Sequence, residues 1–376
     1  MSGVCWNGLK SRLKLSLNCT DIAIYKFKVN NSILMNNPIV LSFCIPTYNN
    51  INSLQRLVLD ILTYNNSDIE IVVLDNGSTD DTLNVLQDIK DDRLHVYTNG
   101  ENKGALFNMV NVLDKGKGEF LVYCTDHDYV DKQKIDVFKV FLQNNANLSS
   151  GYCEYNSKSN LLFEIYQTGY PALEKLAYIT RHPTGYFFNN TYLKSVEIVK
   201  RFSDYEFVDL FPLEFVFAEL CLKGDAAIYH DSLFMPERGT KVVKHKSATT
   251  NGNSQKAFFS PQTRLKLVVN FDVHICSLKI TENEKERLRL NSFFRELNHA
   301  TLGYKFIMNQ EDICIHYFME RREIGLRELM YIGVNFYKGY SNKVIKVRYK
   351  SLLKQVNFKM KLFGKLGFAL INKVVR

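Results

Sequence analysis

The chain has 376 residues, 46% of them hydrophobic and 13% aromatic, enough for a globular protein with a substantial core divided between two lobes. No window reaches the roughly 18 to 20 uninterrupted apolar residues of a membrane span, and the opening MSGVCWNGLKSRLKLSLNCTD lacks the compact apolar segment of a secretory signal, so the sequence reads as cytoplasmic. The net charge of +9 sits at the ends: residues 1–34 carry +4, residues 343–376 hold ten basic and no acidic residues, and residues 35–342 are net −5. That distribution excludes a nucleic-acid grip along the body and points the basic ends at an anionic surface.

The eight cysteines are scattered without a C-x-x-C pair, which predicts reduced core thiols rather than disulfides or a zinc site. PIVLSFCI at 38–45 is a nearly continuous apolar run, the signature of a strand buried on both faces of a parallel sheet. It ends in PTYNN. Residues 53–64 place Leu54, Leu57, Val58, Ile61 and Leu62 at helical spacing; 69–74 form a second strand ending at Asp75; Ser78 or Thr79 can cap a helix over 80–90. A third strand at 94–97 leads through the polar loop TNGENKG to a helix near 104–114, and then to a strand over 119–125. This alternation predicts an α/β fold with a mostly parallel sheet, where ligands bind at the carboxyl ends of the strands.

That rule gathers Pro46 to Asn50, Asp75 to Ser78, Asn99 to Gly104 and Asp126 to Asp128 in one crevice. A strand ending in Asp-Asn-Gly is by itself only a turn; four polar strand ends together read as a site. Asp126 and Asp128, at i and i+2, suit a hard divalent cation such as Mg2+ or Mn2+ that bridges protein carboxylate to a diphosphate and neutralises charge on a departing phosphate. Asp128 is expected to be exposed in that cleft. The sequence contains no G-x-x-x-x-G-K-[ST] and no G-x-G-x-x-G after the first strand, which disfavours an NTPase or a dinucleotide oxidoreductase.

The series LSFCIPTYNN, IVVLDNGSTDDT, NKGALFN and GEFLVYCTDHDYVD, in that order over about residues 38–135, resembles the family 2 glycosyltransferases of the GT-A fold. The resemblance implies a nucleotide-diphosphate-sugar donor, with Pro46, Thr47, Tyr48, Asp75 and Asn76 around base and ribose. It also implies donor contacts at Asn102, Gly104 and Asp126, and a divalent metal on Asp126 and Asp128. Many members have an acid where Thr125 stands, so the register can slide to put Thr125 and His127 in the acidic places; His127 then contacts metal, phosphate or solvent.

In the family the second half binds the acceptor. Its usual acid at the start of a helix that runs to a glycine and a short strand fits Glu214 ahead of Gly224 and AAIYH, although the Glu-Asp pair is absent. Glu214, and after it Asp209, are the candidates for general base. His182, Pro183 and Gly185 fall where the family places an acceptor-contacting turn. The polar stretch 236–263 reads as a mobile loop whose Arg238 and His245 can close on a diphosphate, or as a linker. ITENEKERLRLNSFFREL reads as a surface helix. From Ile345 to Val374, apolar residues recur at steps of three and four among lysines, a basic amphipathic helix for an anionic membrane interface or, alternatively, a stripe docked as core; Gly364 and Gly367 are expected to weaken it.

The domain reading is an N-terminal appendage at 1–34, a nucleotide-sugar half at 35–150, an acceptor half at 151–245, a loop and helical region at 246–342 and a membrane-associating tail at 343–376. Tail and resemblance together read as a membrane-peripheral enzyme acting on a glycan, lipid-linked, and the resemblance implies an inverting displacement. A non-catalytic nucleotide- or sugar-binding adaptor on the same fold is the competing reading. A sugar-nucleotide pyrophosphorylase is disfavoured, since its glycine-rich, Arg-containing opening loop is missing.

Overall fold

The computed structural model describes residues 38–155, 157–198, 210–235, 257–316 and 319–374. The N-terminal appendage, Asp209, and the segment carrying Arg238 and His245 lie outside the described residues. The chain divides into two units, described residues 38–198 with 211–235 and residues 257–374.

In the first unit, β1 (Leu41–Thr47) and β2 (Ile69–Asp75) bury nearly every residue, as strands covered by helices on both faces must. They continue with β3 (Leu94–Thr98), β4 (Phe120–Tyr123), the short β5 (Tyr129–Val130), β6 (Leu148–Cys153), β7 (Phe163–Tyr166), β8 (Tyr186–Asn189), β9 (Asp225–Tyr229) and β10 (Phe234–Met235). Eight strands form one sheet in the order β3-β2-β1-β4-β8-β6-β9-β7, and β5 pairs with β10. Pairing is parallel from β3 through β4 and between β6 and β9, and antiparallel where β8 and β7 join.

Between the first strands run α1 (Ile51–Leu62), α2 (Thr82–Asp88) and α3 (Ala105–Asn111). Helix α1 buries Leu54, Leu57, Val58 and Ile61, the stripe the spacing predicted. Helix α2 starts later than expected, and neither Ser78 nor Thr79 caps it. Asp80 Oδ1 accepts from Thr82 N at 3.1 Å, while Ser78 and Thr79 bond to Asn49 across the crevice.

Helices α4 (Ile135–Gln143), α5 (Tyr170–Leu176), α6 (Asn190–Lys194) and α7 (Pro212–Leu220) complete the unit. Phe138 of α4 meets Phe187 and Tyr229 edge-on at 5.4 and 4.9 Å, welding helix to sheet with directional ring contacts. Gly151 is obligatory beneath them, because a Cβ there would lie 1.9 Å from the Phe187 ring. The antiparallel β4–β8 pair matters most for function: Gly185 N donates to Tyr123 O at 3.1 Å, so the loop before β8 arrives at the carboxyl end of β4. Of the described cysteines all but Cys276 are buried, the core placement the sequence predicted.

The second unit is helical: α8 (Pro261–Ser277), α9 (Glu282–Asn298), α10 (Tyr304–Met308), α11 (Glu311–His316), α12 (Leu326–Tyr340) and α13 (Leu352–Val374). Thr281 and Glu284 close a capping box on α9. Predicted as a surface helix, α9 nevertheless buries Leu288, Arg289, Phe293 and Glu296, because Phe293 packs on Tyr340 at 4.6 Å and the buried charges are paired, Arg264 with Glu296 and Arg289 with Asp272. The predicted tail is split. Val344, Ile345, Phe358 and Leu362 belong to the core of this unit, and Tyr349 stacks on Phe358 at 4.9 Å. Leu352, Val356, Met360 and Phe363 stay exposed. Helix α13 runs on through Gly364 and Gly367. Among the described residues no helix is long and apolar enough to cross a membrane.

Candidate active site

The carboxyl ends of β1, β2 and β3 are tied by side-chain amides. Asn76 Oδ1 accepts from Asn99 Nδ2 and Lys103 N, both at 3.0 Å, and Asn76 Nδ2 donates to Asn102 Oδ1 at 2.9 Å. Asn108 of α3 accepts from Asn99 and donates to the backbone carbonyls of Thr47 and Leu74. Four asparagines thus stitch three strand ends into one floor, with Asn76 and Asn108 each using both the donor and the acceptor of the amide. Sequence reasoning gathered Asn76, Asn99 and Asn102 in the crevice but missed Asn108; the signal was the density of Asn over residues 99–111.

Asp75, expected beside the base and ribose, is fully buried. Its oxygens accept from Gly77 N, Ser78 N and Thr98 Oγ1 at 3.0 to 3.2 Å, so it shapes the turn from beneath and presents no face to a ligand. Gly77 completes that turn with φ +73°, and a Cβ there would lie 2.6 Å from the Glu101 backbone; only glycine satisfies both demands. Gly104 has φ +92° and launches α3. On the rim, Pro46, Thr47 and Tyr48 follow β1, with Tyr48 42% exposed.

The Asp-His-Asp turn after β4 separates its two acids. Asp126 Oδ2 accepts from Thr47 Oγ1 at 2.8 Å and its Oδ1 lies 3.2 Å from His127 Nδ1. The Asp126 and His127 side chains are 15% and 47% exposed. Asp128 is 2% exposed, contrary to expectation. Its Oδ2 accepts from Thr125 Oγ1 at 2.6 Å, Thr184 Oγ1 at 2.5 Å and Tyr155 OH at 2.9 Å. Three hydroxyls compensate the burial of one carboxylate. Burial, with the Asp128 charge beside it, pushes the Tyr155 phenol well above its ordinary range, so it remains a donor. Arg56 of α1 braces the turn from outside, donating to His127 O at 2.8 Å with its guanidinium 3.9 Å above the Tyr129 ring.

The 178–185 loop reaches this turn. Tyr178 and Thr180 hold φ of 59° and 62°, a left-handed conformation that costs a non-glycine residue on the order of 1 kcal/mol or more and persists where its surroundings enforce it. Glu214 of α7 enforces it. Only 1% exposed, it accepts from Ile179 N at 3.2 Å, Arg181 N at 3.0 Å and Tyr186 OH at 2.6 Å, with Arg181 Nη1 at 3.5 Å. The candidate base is therefore enclosed and fully engaged. The loop it fixes delivers Thr184 to Asp128 and His182 to the rim, where the His182 ring meets Tyr155 edge-on at 5.5 Å. Loss of solvation on that side lowers the His182 pKa below the usual imidazole value, leaving it neutral at pH 7.

Among the described residues no three His, Cys, Asp or Glu side chains form a metal-holding group. Asp126 with His127 nonetheless suits a divalent ion that takes one or two protein groups and completes its shell from substrate phosphates. The partly exposed Asp126 fits that task; the enclosed Asp128 does not.

Residues 42–197 match the family model described as Glycosyl transferase family 2. They are a family 2 glycosyltransferase domain. The sheet of this glycosyltransferase domain, mostly parallel and flanked by helices, is the GT-A arrangement the sequence resemblance implied. The chain is 30% identical over 173 residues to the GalNAc(5)-diNAcBac-PP-undecaprenol beta-1,3-glucosyltransferase of Campylobacter jejuni, a stretch that is 44% of this chain and 55% of that protein. Over 96 residues, 26% of this chain and 39% of the other, it is 31% identical to the UDP-Glc:alpha-D-GlcNAc-diphosphoundecaprenol beta-1,3-glucosyltransferase WfaP of Escherichia coli. The chain thus spans about half or less of the length of these curated relatives. The crystal structure of S. aureus TarS 1–349 in complex with UDP-GlcNAc is 16% identical with a TM-score of 0.48, covering 81% of this chain and 91% of that one; a likeness of that size bears on neither substrate nor chemistry.

Proposed function

We propose that this chain transfers one sugar from a nucleotide-diphosphate-sugar donor to a hydroxyl of a lipid-linked glycan, with inversion at the anomeric carbon. The observation that carries the reading is the 2.8 Å Thr47–Asp126 hydrogen bond, which draws the end of β1 against the acidic turn after β4 inside the family 2 domain. The two named relatives have undecaprenol-linked substrates in their names, which supports a lipid-linked acceptor.

In this reading Pro46, Thr47 and Tyr48 receive the base and ribose, Asn102 and Gly104 line the diphosphate side, and Asp75 and Asn76 hold those loops from below. Asp126 with His127 would hold Mn2+ or Mg2+, whose contribution when bound is to neutralise charge on the leaving diphosphate. The acceptor hydroxyl must lose its proton as it attacks. Glu214, with its oxygens engaged, acts as the brace of the 178–185 loop, which leaves Asp209 as the carboxylate to test as base. Helix α13, with Leu352, Met360 and Phe363 exposed at 74%, 60% and 54% among lysines, attaches the protein to an anionic membrane surface on its cytoplasmic side.

Screening nucleotide sugars for Mn2+-dependent release of nucleoside diphosphate tests the reading. Turnover that is lost in Asp126→Asn and in Asp209→Asn supports it. The enclosure of both Asp128 and Glu214 favours the adaptor reading as the second possibility, and nucleotide-sugar binding without any turnover decides for it.

A further inference from the structure

The helical unit contains a cleft of about 750 Å3, within the range of ligand-binding cavities, built entirely from elements of that unit. Its floor is apolar, with Leu265 of α8, Met308 of α10 and Phe336 of α12. Two tyrosines, Tyr304 and Tyr331, face it, and Tyr331 is 70% exposed. Gln262 and Asn335 add side-chain amides. Arg322 and Glu328 form a two-toothed ion pair on the wall, at 2.7 and 3.1 Å, with Tyr304 OH 3.3 Å from the guanidinium.

We infer that this cleft is a second carbohydrate site, which takes a neutral oligosaccharide of the kind that makes up a glycan acceptor. For the choice of ligand the inference rests on the reading of the first unit as a sugar transferase. A pyranose ring presents an apolar C–H face and an edge of hydroxyls that both donate and accept. The exposed Tyr331 ring meets the first. Amides and an arginine–carboxylate fork, which offer donors and acceptors together, meet the second.

Charge and burial separate this ligand from its rivals. Glu320 and Glu328 against Arg322 leave the lining net negative, unfit for a nucleotide or diphosphate. The start of α8 supplies no anion hole either, since Pro261 lacks an N–H and Ser260 Oγ already accepts from Thr263 N at 3.2 Å. A polyprenyl tail would strip water from the Arg322–Glu328 pair without replacing it, which burial of an ion pair makes unfavourable.

The experiment is saturation-transfer NMR on the full chain with a panel of neutral hexose and N-acetylhexosamine tetrasaccharides. The parallel readouts are donor hydrolysis and sedimentation. The expected result is transfer to at least one panel member, weakened about tenfold in Tyr331→Ala and in Asn335→Ala, with donor hydrolysis unchanged in both. No transfer to any member overturns the inference, as does equal binding by the Tyr331→Ala/Asn335→Ala double variant. A concentration-dependent dimer abolished by Tyr331→Ala also overturns it, because the cleft then serves a second copy. Oligosaccharide binding without donor turnover would sink the transferase reading and leave the cleft standing.

Discussion

The two units solve the problem of placing polar side chains in opposite ways. In the α/β unit, functional groups hang on loops after strands, and their positions are set by buried polar partners: Asp75 under one loop, the asparagine floor under three, Asp128 and Glu214 under the rest. In the helical unit the buried charges are paired between helices, Arg264–Glu296 and Arg289–Asp272, and its exposed faces carry large apolar residues, with Leu326 at 73% and Leu352 at 74%. Precision in the first comes from hydrogen bonds that cannot be satisfied elsewhere. In the second it comes from side-chain packing, which leaves the surface free to meet something else.

Substitutions break this comparison most strongly at the acidic turn. Asp126→Asn is expected to lower turnover about a hundredfold or more with the melting temperature unchanged. Asp128→Asn is expected to lower both, destabilising by about 1–3 kcal/mol because three hydroxyls lose a carboxylate acceptor. Thermal melts alongside kinetics check the pair; an Asp128→Asn variant of normal stability would show that its hydroxyl cage carries no structural weight.

The helical unit has its own acid sensitivity. Burial, together with the nearby Arg264 and Arg295 charges, pushes His299 down to about 4. Between that value and the unfolded pKa of about 6.5, the unfolded chain binds a proton that the folded one does not, so stability rises with pH across the window and is lost as pH falls through it. The full effect is up to about 3 kcal/mol. Urea titrations at pH 4.5 and 7.5 should show it, and His299→Gln should flatten the difference.

Glu214→Gln sharpens the contrast within the α/β unit. It is expected to raise the KM for acceptor about tenfold while donor hydrolysis stays within about twofold, since the 178–185 loop loses its brace. Loss of donor hydrolysis as large as that of Asp209→Asn would instead make Glu214 the base. The smallest effect belongs to the exposed face of α13. Met360→Ser with Lys361→Gln should weaken binding to anionic vesicles by about 1–2 kcal/mol, more at low salt than at high, with activity on a soluble acceptor retained. Unchanged vesicle cosedimentation would count against that face.

Strands β1 to β4 and the crevice at their carboxyl ends were legible because parallel strands announce themselves as apolar runs that end in polar turns. The direction each acid faces was not. Asp126 and Asp128 are two residues apart in a turn, where no period of two or 3.6 governs orientation, and the partners that draw Asp128 inward, Tyr155 and Thr184, lie 27 and 56 residues away. Glu214 misled for the same reason: the helix start was readable, but the strained loop it holds was not. In the tail, spacing revealed one stripe, while the docked face through Phe358 and Leu362 depends on Phe293 and Tyr340 brought from other helices.

Gly77 leaves room for a hydrogen and nothing larger against the backbone of Glu101. The segments 75–79 and 99–104 therefore share a boundary of van der Waals contact, and neither can be lengthened or lifted alone. They form a single plate rather than two fingers. A donor that displaces one edge must tilt the whole plate, so amide exchange should slow in both segments together on binding. Over evolutionary time, insertions in either should occur only with a matching change in the other.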